Sequence, residues 1–142
     1  MSDTIFALSS SLGKSAVAII RISGPATKEI LETLTKKEVS QPRVAKLRNI
    51  YHPHNNIKID SPLVIYFKAP YSFTGEDMAE IHIHGSKIVI KTLYEALNTF
   101  SKTRIAEAGE FSKRAFYNNK LDLTEAEGII DLINAETMMQ HE

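Results

Sequence analysis

The run from Glu80 to His84 alternates polar and apolar side chains in a way that suits metal or ligand chemistry. Glu80, His82 and His84 are separated by single isoleucines. On a β-strand this alternation places the three polar side chains on one face and the isoleucines on the other. Two histidines at positions i and i+2 can ligate a metal ion, so a metal-dependent hydrolase that uses these three residues is one hypothesis. A polar strand face that lines a cleft is the alternative.

A second candidate is Gly13-Lys14-Ser15, which matches the end of a phosphate-binding loop, G-x-x-x-x-G-K-S. The first glycine of that pattern falls at position 8, where the sequence has Leu8. The loop must also lead into a helix whose amides hold the phosphate, whereas 16–22 is predicted to be a strand. We therefore interpret this segment as a glycine-containing turn.

The composition is that of one ordinary soluble domain. The 142 residues include 17 basic and 17 acidic side chains, so the formal charge is zero, and 43% of residues are apolar. The absence of cysteine excludes thiol redox chemistry and a cysteine-based zinc site. No apolar run is long enough to span a bilayer and no export signal is present, so a cytoplasmic protein without membrane association is expected.

The hydrophobic pattern predicts strands interspersed with helices. Strands are predicted over 4–8, 16–22, 44–51, near 57, and over 63–67, 78–84 and 104–106, with helices over 25–35, from 85 to about 100, and over 110–117. The strand-to-strand runs at 4–22 and 44–67 imply hairpins. We therefore predict an α+β fold, a mixed β-sheet with helices packed on it, rather than a doubly wound parallel sheet.

The last segment predicts a further helix that continues to the end of the sequence. Thr124 and Glu127 form a capping box, and Ala126, Ile129 and Ile133 lie on one stripe. Because nothing near His141 is typical of a helix end, we expect this sequence to be a fragment of a longer protein.

Several short motifs occur in a fixed order and are more specific together than singly. They are IRISG at 20–24, SFTGED at 72–77, EIHIHG at 80–85, GEFSKRAF at 109–116 and KLDL at 120–123, followed by Ala126-Glu127 and DLI at 131–133. This set resembles the amino-terminal part of the MnmE/TrmE family of tRNA-modification GTPases, over essentially the whole chain.

The resemblance implies a fold similar to the tetrahydrofolate-binding domains of one-carbon transfer proteins. Residues 1–118 would be a folate-binding and dimerisation domain, and 119–142 the start of a truncated helical domain. The GTP-binding domain is absent, so GTP, Mg²⁺ and K⁺ would belong only to the full-length protein, and this chain is not expected to hydrolyse GTP.

The family acts on tRNA with an FAD-dependent partner, MnmG (GidA). It modifies C5 of the wobble uridine with a one-carbon unit from a tetrahydrofolate derivative, the 5-formyl or 5,10-methylene form. The resemblance therefore implies a homodimer with folate, MnmG and tRNA as partners. A ligand-free dimerisation scaffold stays open as an alternative.

The resemblance also implies which residues contact folate. They are Arg21, Glu80 and Lys120, with His84, Arg114 and Asn118 as secondary candidates. The Glu80 carboxylate can accept the N3–H and 2-amino donors of a pterin together, in charge-assisted bonds. Arg21 and Lys120 suit the acceptor-rich or anionic ends, and which cation binds which end is left open.

Two charged segments have open interpretations. Glu76 and Asp77 suit either this site or merely solvated acids. Arg104, Lys113 and Arg114 suit either a solvated face or a direct contact with tRNA, whose affinity would depend on salt.

Overall fold

The computed structural model describes residues 3–9, 16–39, 41–122 and residue 125. The described residues form eight strands and three helices: β1 (Thr4–Leu8), β2 (Val17–Ser23), α1 (Thr27–Thr35), β3 (Lys46–Leu47), β4 (Ile50–Tyr51), β5 (Lys58–Asp60), β6 (Leu63–Phe67), β7 (Met78–His84), α2 (Lys87–Leu97), β8 (Thr103–Ile105) and α3 (Glu110–Tyr117). No helix among them is long and apolar enough to cross a membrane.

Six strands build one mixed sheet in the order β3-β6-β7-β2-β1-β8. Every neighbouring pair is antiparallel except β1 and β8, which run parallel. β4 and β5 form a separate antiparallel hairpin. The mixed sheet and the α+β class predicted from the pattern are confirmed, as is the first hairpin.

The hydrophobic core fills one face of this sheet. Alternation in β2 and β7 directs Ile20, Ile22, Ile81 and Ile83 to that face, where α1 and α2 cover them with Leu34, Leu93 and other apolar residues. Phe6 packs edge-to-face on Tyr94 with ring centroids 5.1 Å apart. This core leaves the polar side chains of β2 and β7 on the opposite face.

The opposite face is covered at one end by α3. Arg114 of α3 donates hydrogen bonds to the backbone oxygens of Asp3 and Ser23, and these bonds hold the helix against β1 and β2. The chain turns out of β2 at Gly24, whose φ is +141° and whose missing Cβ would stand 2.6 Å from the Cα of Thr4. Only glycine fits this crossing.

Three predicted elements differ from the structure. The single strand predicted over 44–51 is two strands, because β3 pairs with β6 and β4 pairs with β5. α1 begins at Thr27 rather than Pro25, because the Thr27 hydroxyl donates to the Gly24 oxygen and that turn occupies 24–26. The β-branched residues of 16–22 predict a strand that is buried on both faces, whereas β2 is buried on one face only. The capping box at Thr124 and the final predicted helix lie outside the described residues.

Candidate ligand-binding site

Arg21 and Glu80 are brought together by the pairing of β2 with β7. They are direct register partners, so alternation places both side chains on the face away from the main core. Arg21 Nη2 and Glu80 Oε2 lie 3.8 Å apart, and the two side chains are 30% and 24% exposed. The two side chains are therefore partly buried and in loose contact with each other.

Two aromatic rings flank Arg21. Its guanidinium carbon lies 5.6 Å from the ring centroid of Phe73 and 5.9 Å from that of Phe111, within the range of cation–π attraction. The Arg21 Nε is buried and has no hydrogen-bond acceptor among the described residues, as is also the case for the Arg114 Nε. Such an unsatisfied donor costs free energy unless a partner is supplied.

A cleft of about 520 Å³ opens beside this arginine. Its walls come from the end of β1, from the loop before α3 and from the first turn of that helix, and they include Leu8, Arg21, Phe73, Gly109 and Phe111. The cleft combines apolar rings with an orphaned cationic donor, which is the usual make-up of a small-molecule site.

Glu80 has a second neighbour in His82. Their carboxylate oxygen Oε1 and ring nitrogen Nε2 lie 3.1 Å apart on the same strand face. His84, two residues further on, is instead held by Asp60, whose Oδ1 lies 2.9 Å from the ring Nδ1. Burial acts to raise the pKa of Asp60, but hydrogen bonds from His84 and Ser61 outweigh it, and the net shift is downward.

These contacts do not favour the metal-dependent hydrolase. His84 is engaged by Asp60 rather than converging with Glu80 and His82. Within the described part of the chain, no group of three or more histidine, aspartate and glutamate side chains is arranged to hold a metal ion. The hydrolase hypothesis therefore has no support in the geometry.

Lys120 and Asn118 lie beside Gly75 of the 71–77 loop. A Cβ built on Gly75 would stand 2.9 Å from the Asn118 Cβ and 3.4 Å from the Lys120 Cγ. The Asn118 side chain donates to the Thr74 oxygen at 2.9 Å and is thereby used within the chain. Lys120 remains exposed beside a loop whose Phe73 contacts Arg21.

Arg114 is buried, with 1% of its side chain exposed. Its Nη1 donates to Glu76 Oε1 at 3.0 Å and to the Asp3 oxygen at 2.8 Å, while Nη2 faces Glu110. Glu76, whose side chain is 16% exposed, also accepts the Ser23 hydroxyl at 2.8 Å. The interpretation of Glu76 as a solvated acid is therefore wrong, and Arg114 is a structural residue that cannot contact RNA at the surface.

Arg104 is also engaged within the chain. It forms a bidentate pair with Glu110, at 2.8 and 2.6 Å, and a further bond with Asp3. Hydrogen bonding from Arg104 is the main cause that lowers the pKa of Glu110 to about 2. The three cations 104, 113 and 114 thus do not form one free surface, because only Lys113 is outside these ion pairs.

Phe73 and Phe111 are site residues that the sequence reasoning missed. Both stand inside motifs that the resemblance rests on, SFTGED and GEFSKRAF. An aromatic residue in a polar loop, away from any predicted core stripe, is the signal that could have marked Phe73.

The structure defines this chain as an α+β domain with a cleft beside Arg21, and comparisons with known proteins give its family. The model of the family "GTP-binding protein TrmE N-terminus" matches residues 4–120. The chain belongs to this family, which confirms the resemblance read from the motifs.

Relatives in three Rickettsia species support the same assignment. Over 139 residues the chain is 55% identical to "tRNA modification GTPase MnmE" of Rickettsia akari, 56% to that of Rickettsia bellii and 55% to that of Rickettsia prowazekii. Each alignment covers 98% of this chain and 31% of the relative. The chain therefore corresponds to an amino-terminal region and spans about a third of the length of these relatives.

Proposed function

We propose that this chain is the folate-binding, dimer-forming amino-terminal region of a tRNA-modification GTPase. The observation that carries the proposal is the half-buried Arg21–Glu80 pair, whose arginine lines the 520 Å³ cleft. In the whole protein, which we place in the cytoplasm, a tetrahydrofolate derivative would supply the one-carbon unit for C5 of the wobble uridine, with MnmG as the partner.

The residues present fit a reduced folate. A pterin offers two adjacent N–H donors that the Glu80 carboxylate can accept, with His82 supporting the carboxylate from its other side. The orphaned Arg21 Nε needs an acceptor, which pterin and formyl oxygens provide. Phe73 and Phe111 offer apolar walls for the flat ring system.

Lys120 suits the anionic tail of the same ligand. Its side chain is exposed beside Gly75, two residues after Phe73, whose ring contacts Arg21. A flexible ammonium group near solvent binds a carboxylate as a point charge without demanding a fixed geometry. We assign the tail to Lys120 and the ring system to Arg21 and Glu80.

A second copy of the chain would dock on the open part of the same sheet face. Val17, Leu47 and Leu63 are exposed apolar residues that line one shallow recess of about 320 Å³ beside His82 and His84. Because this recess adjoins the strand that carries Glu80, a dimer formed here would lie close to the folate. The exposed apolar residues support a dimer interface.

Titration calorimetry with 5-formyltetrahydrofolate tests the proposal. We expect micromolar binding by the chain and a loss of roughly tenfold to a hundredfold in Glu80→Ala, since a charge-assisted bond contributes about 1.5–3 kcal/mol. Glu95→Ala, a change of the same type on the exposed surface of α2, is the control. Absence of binding by the unaltered chain overturns the folate proposal and leaves the scaffold alternative.

Sedimentation velocity tests the dimer separately. We expect the unaltered chain to sediment as a dimer and Leu63→Asp to sediment as a monomer, because a carboxylate in an apolar contact is costly to desolvate. Ile88→Asp, at another exposed apolar position, is the matched control and should remain dimeric. A monomeric unaltered chain overturns this part of the proposal.

A further inference from the structure

Positive charge is concentrated in one stretch of this otherwise neutral chain. Between residues 36 and 58 the sequence has six of its 17 basic residues and one of its 17 acidic residues, Glu38. The six are Lys36, Lys37, Arg43, Lys46, Arg48 and Lys58, which together we call the basic surface. Five of them are exposed, and Arg48 is partly exposed.

Several elements bring these cations to one side of the molecule. Lys36, at the end of α1, donates to the Asn56 side chain and lies 4.2 Å above the ring of Tyr51 in β4. Tyr51 pairs with Lys58 in the β4–β5 hairpin. Lys37, Arg48 and Tyr51 line a single recess of about 230 Å³. The cluster therefore arises from tertiary packing and not only from proximity in the sequence.

The charge on this surface is not neutralised within the chain. Arg21, Arg104 and Arg114 each form ion pairs, whereas none of the six cations of the basic surface does so among the described residues. Glu38 shares a small recess with Lys46 and Arg48 but stays outside salt-bridge distance. Glu32, the other nearby acid, accepts the backbone amide of Val39. A polyanion can therefore bind here without breaking an ion pair within the described part of the chain.

Tyrosine and histidine rings lie close to these cations in the β4–β5 hairpin. Besides Tyr51, the hairpin presents His52 and His54, whose ring centroids lie 5.8 Å apart. Cations interleaved with flat rings suit an RNA strand, because phosphates pair with the cations and unstacked bases stack on the rings. An anionic lipid surface would use the cations alone and would leave the rings unexplained.

We propose that the basic surface binds the phosphate backbone of an RNA. The proposal rests on the proposed function, because the relatives are named as tRNA modification proteins. It assigns the RNA contact to residues other than 104, 113 and 114. The surface adjoins the β3 edge of the sheet, whereas the cleft beside Arg21 lies at the β1 and α3 end, so RNA and folate occupy separate sites.

Fluorescence anisotropy with a labelled RNA stem–loop, over a salt series from about 50 to 200 mM, tests this assignment. The variant Lys37→Ala/Lys46→Ala/Lys58→Ala removes three exposed charges from the basic surface. We expect its affinity for RNA to be at least tenfold weaker at low salt. The slope of log affinity against log salt concentration should be less negative by about 2 to 3. Lys28→Ala/Lys87→Ala/Lys91→Ala removes the same charge from exposed positions elsewhere and should bind as the unaltered chain does.

Three results overturn the basic surface as an RNA site: no RNA binding by the unaltered chain at low salt, equal loss in both triple variants, or binding to phosphatidylserine vesicles without binding to RNA. Calorimetry with 5-formyltetrahydrofolate on the same samples separates this proposal from the proposed function. We expect the basic-surface variant to keep its folate affinity. RNA binding without any folate binding would overturn the folate proposal and leave the basic surface intact.

Discussion

Two arginine–glutamate pairs lie on the same face of the sheet and differ in almost every physical respect. Arg114 is buried, with 1% exposure, and contacts Glu76 at 3.0 Å with added support from the Asp3 oxygen. Arg21 and Glu80 are half-buried and 3.8 Å apart. Glu76 also accepts a hydrogen bond from the Ser23 hydroxyl, whereas the second contact of Glu80 is with the His82 ring. The Nε of each arginine is buried without an acceptor among the described residues, so this feature is common to the two pairs.

The difference separates a structural pair from a binding pair. A buried ion pair is stable only when most of its remaining donors and acceptors are satisfied, which the Arg114 pair achieves through the chain itself apart from the Arg114 Nε. Arg21, in contrast, is partly exposed and lines a cleft. The 71–77 loop connects them, since Phe73 contacts Arg21 and Glu76 contacts Arg114.

Arg114→Met gives the largest expected effect and breaks the structural pair. The substitution keeps a long apolar stem but leaves the Glu76 carboxylate, which is 16% exposed, without its cation. We expect the free energy of unfolding, measured in urea, to fall by about 3–5 kcal/mol. Adding Glu76→Gln should restore part of the loss, because the uncompensated charge is removed.

Lys113→Met is the control for this prediction, since Lys113 precedes Arg114 on the exposed side of α3. Its effect on unfolding should stay within about 0.5 kcal/mol. A loss of less than about 1 kcal/mol in Arg114→Met would contradict a structural role for the pair.

Gly75→Ala tests whether the 71–77 loop couples the structural pair to the binding pair. Gly75 has a φ of +82°, and a Cβ there would approach Asn118 Cβ to 2.9 Å and Lys120 Cγ to 3.4 Å. Backbone strain and this clash should lower the free energy of unfolding by about 1–3 kcal/mol. Displacement of Lys120 should also weaken 5-formyltetrahydrofolate several-fold in calorimetry.

Gly85→Ala is the matched glycine substitution, because Gly85 does not have a positive φ. It should leave both unfolding and folate affinity near their original values. If Gly75→Ala also leaves both unchanged, the loop does not couple the structural pair to the binding pair.

The strands and helices with clean periodicity could be predicted from the sequence. The bounds of β6, β7 and α3 agree residue for residue with the predictions, because alternation or a 3.6-residue stripe ends at a clear turn signal. The division of 44–51 into β3 and β4 could not be predicted, since it depends on two different partner strands. Partner choice is a tertiary property that a local pattern does not contain.

The contacts within the candidate site could likewise not be predicted from local sequence patterns. No local pattern places Arg21 opposite Glu80, because their contact requires the β2–β7 register. Strand alternation singles out Glu80, whereas Arg21 is identified only through the family resemblance. The burial of Arg114, in contrast, had a signal in the sequence. Phe111, Arg114, Ala115 and Asn118 share one helical stripe, which indicates an arginine on the inner face of α3.

The pH dependence of the free energy of unfolding tests the ion pairs of Glu110, which contacts both Arg104 and Arg114. Hydrogen bonding from Arg104 lowers the pKa of Glu110 from 4.5 to about 2. As the pH falls, the unfolded chain binds the proton first, so the stability that this carboxylate contributes is complete above about pH 4.5 and is lost toward pH 2. We expect a loss on the order of 1 kcal/mol after allowance for the partly exposed Arg104. Urea denaturation in Glu110→Gln should show a smaller change across this window, and an unchanged pH dependence would contradict the assignment.

Phe111→Leu gives the smallest expected effect and probes the binding pair. It removes one of the two rings beside the Arg21 guanidinium, 5.9 Å away, while keeping an apolar side chain in the first turn of α3. A cation–π contact at a partly exposed site contributes about 0.5–1 kcal/mol, so affinity for 5-formyltetrahydrofolate should fall by roughly two- to fivefold. Phe116→Leu alters a ring that contacts Tyr117 in the same helix and should leave affinity unchanged. Equal affinity in both variants would show that Phe111 does not orient Arg21, and Phe73 alone would then carry that role.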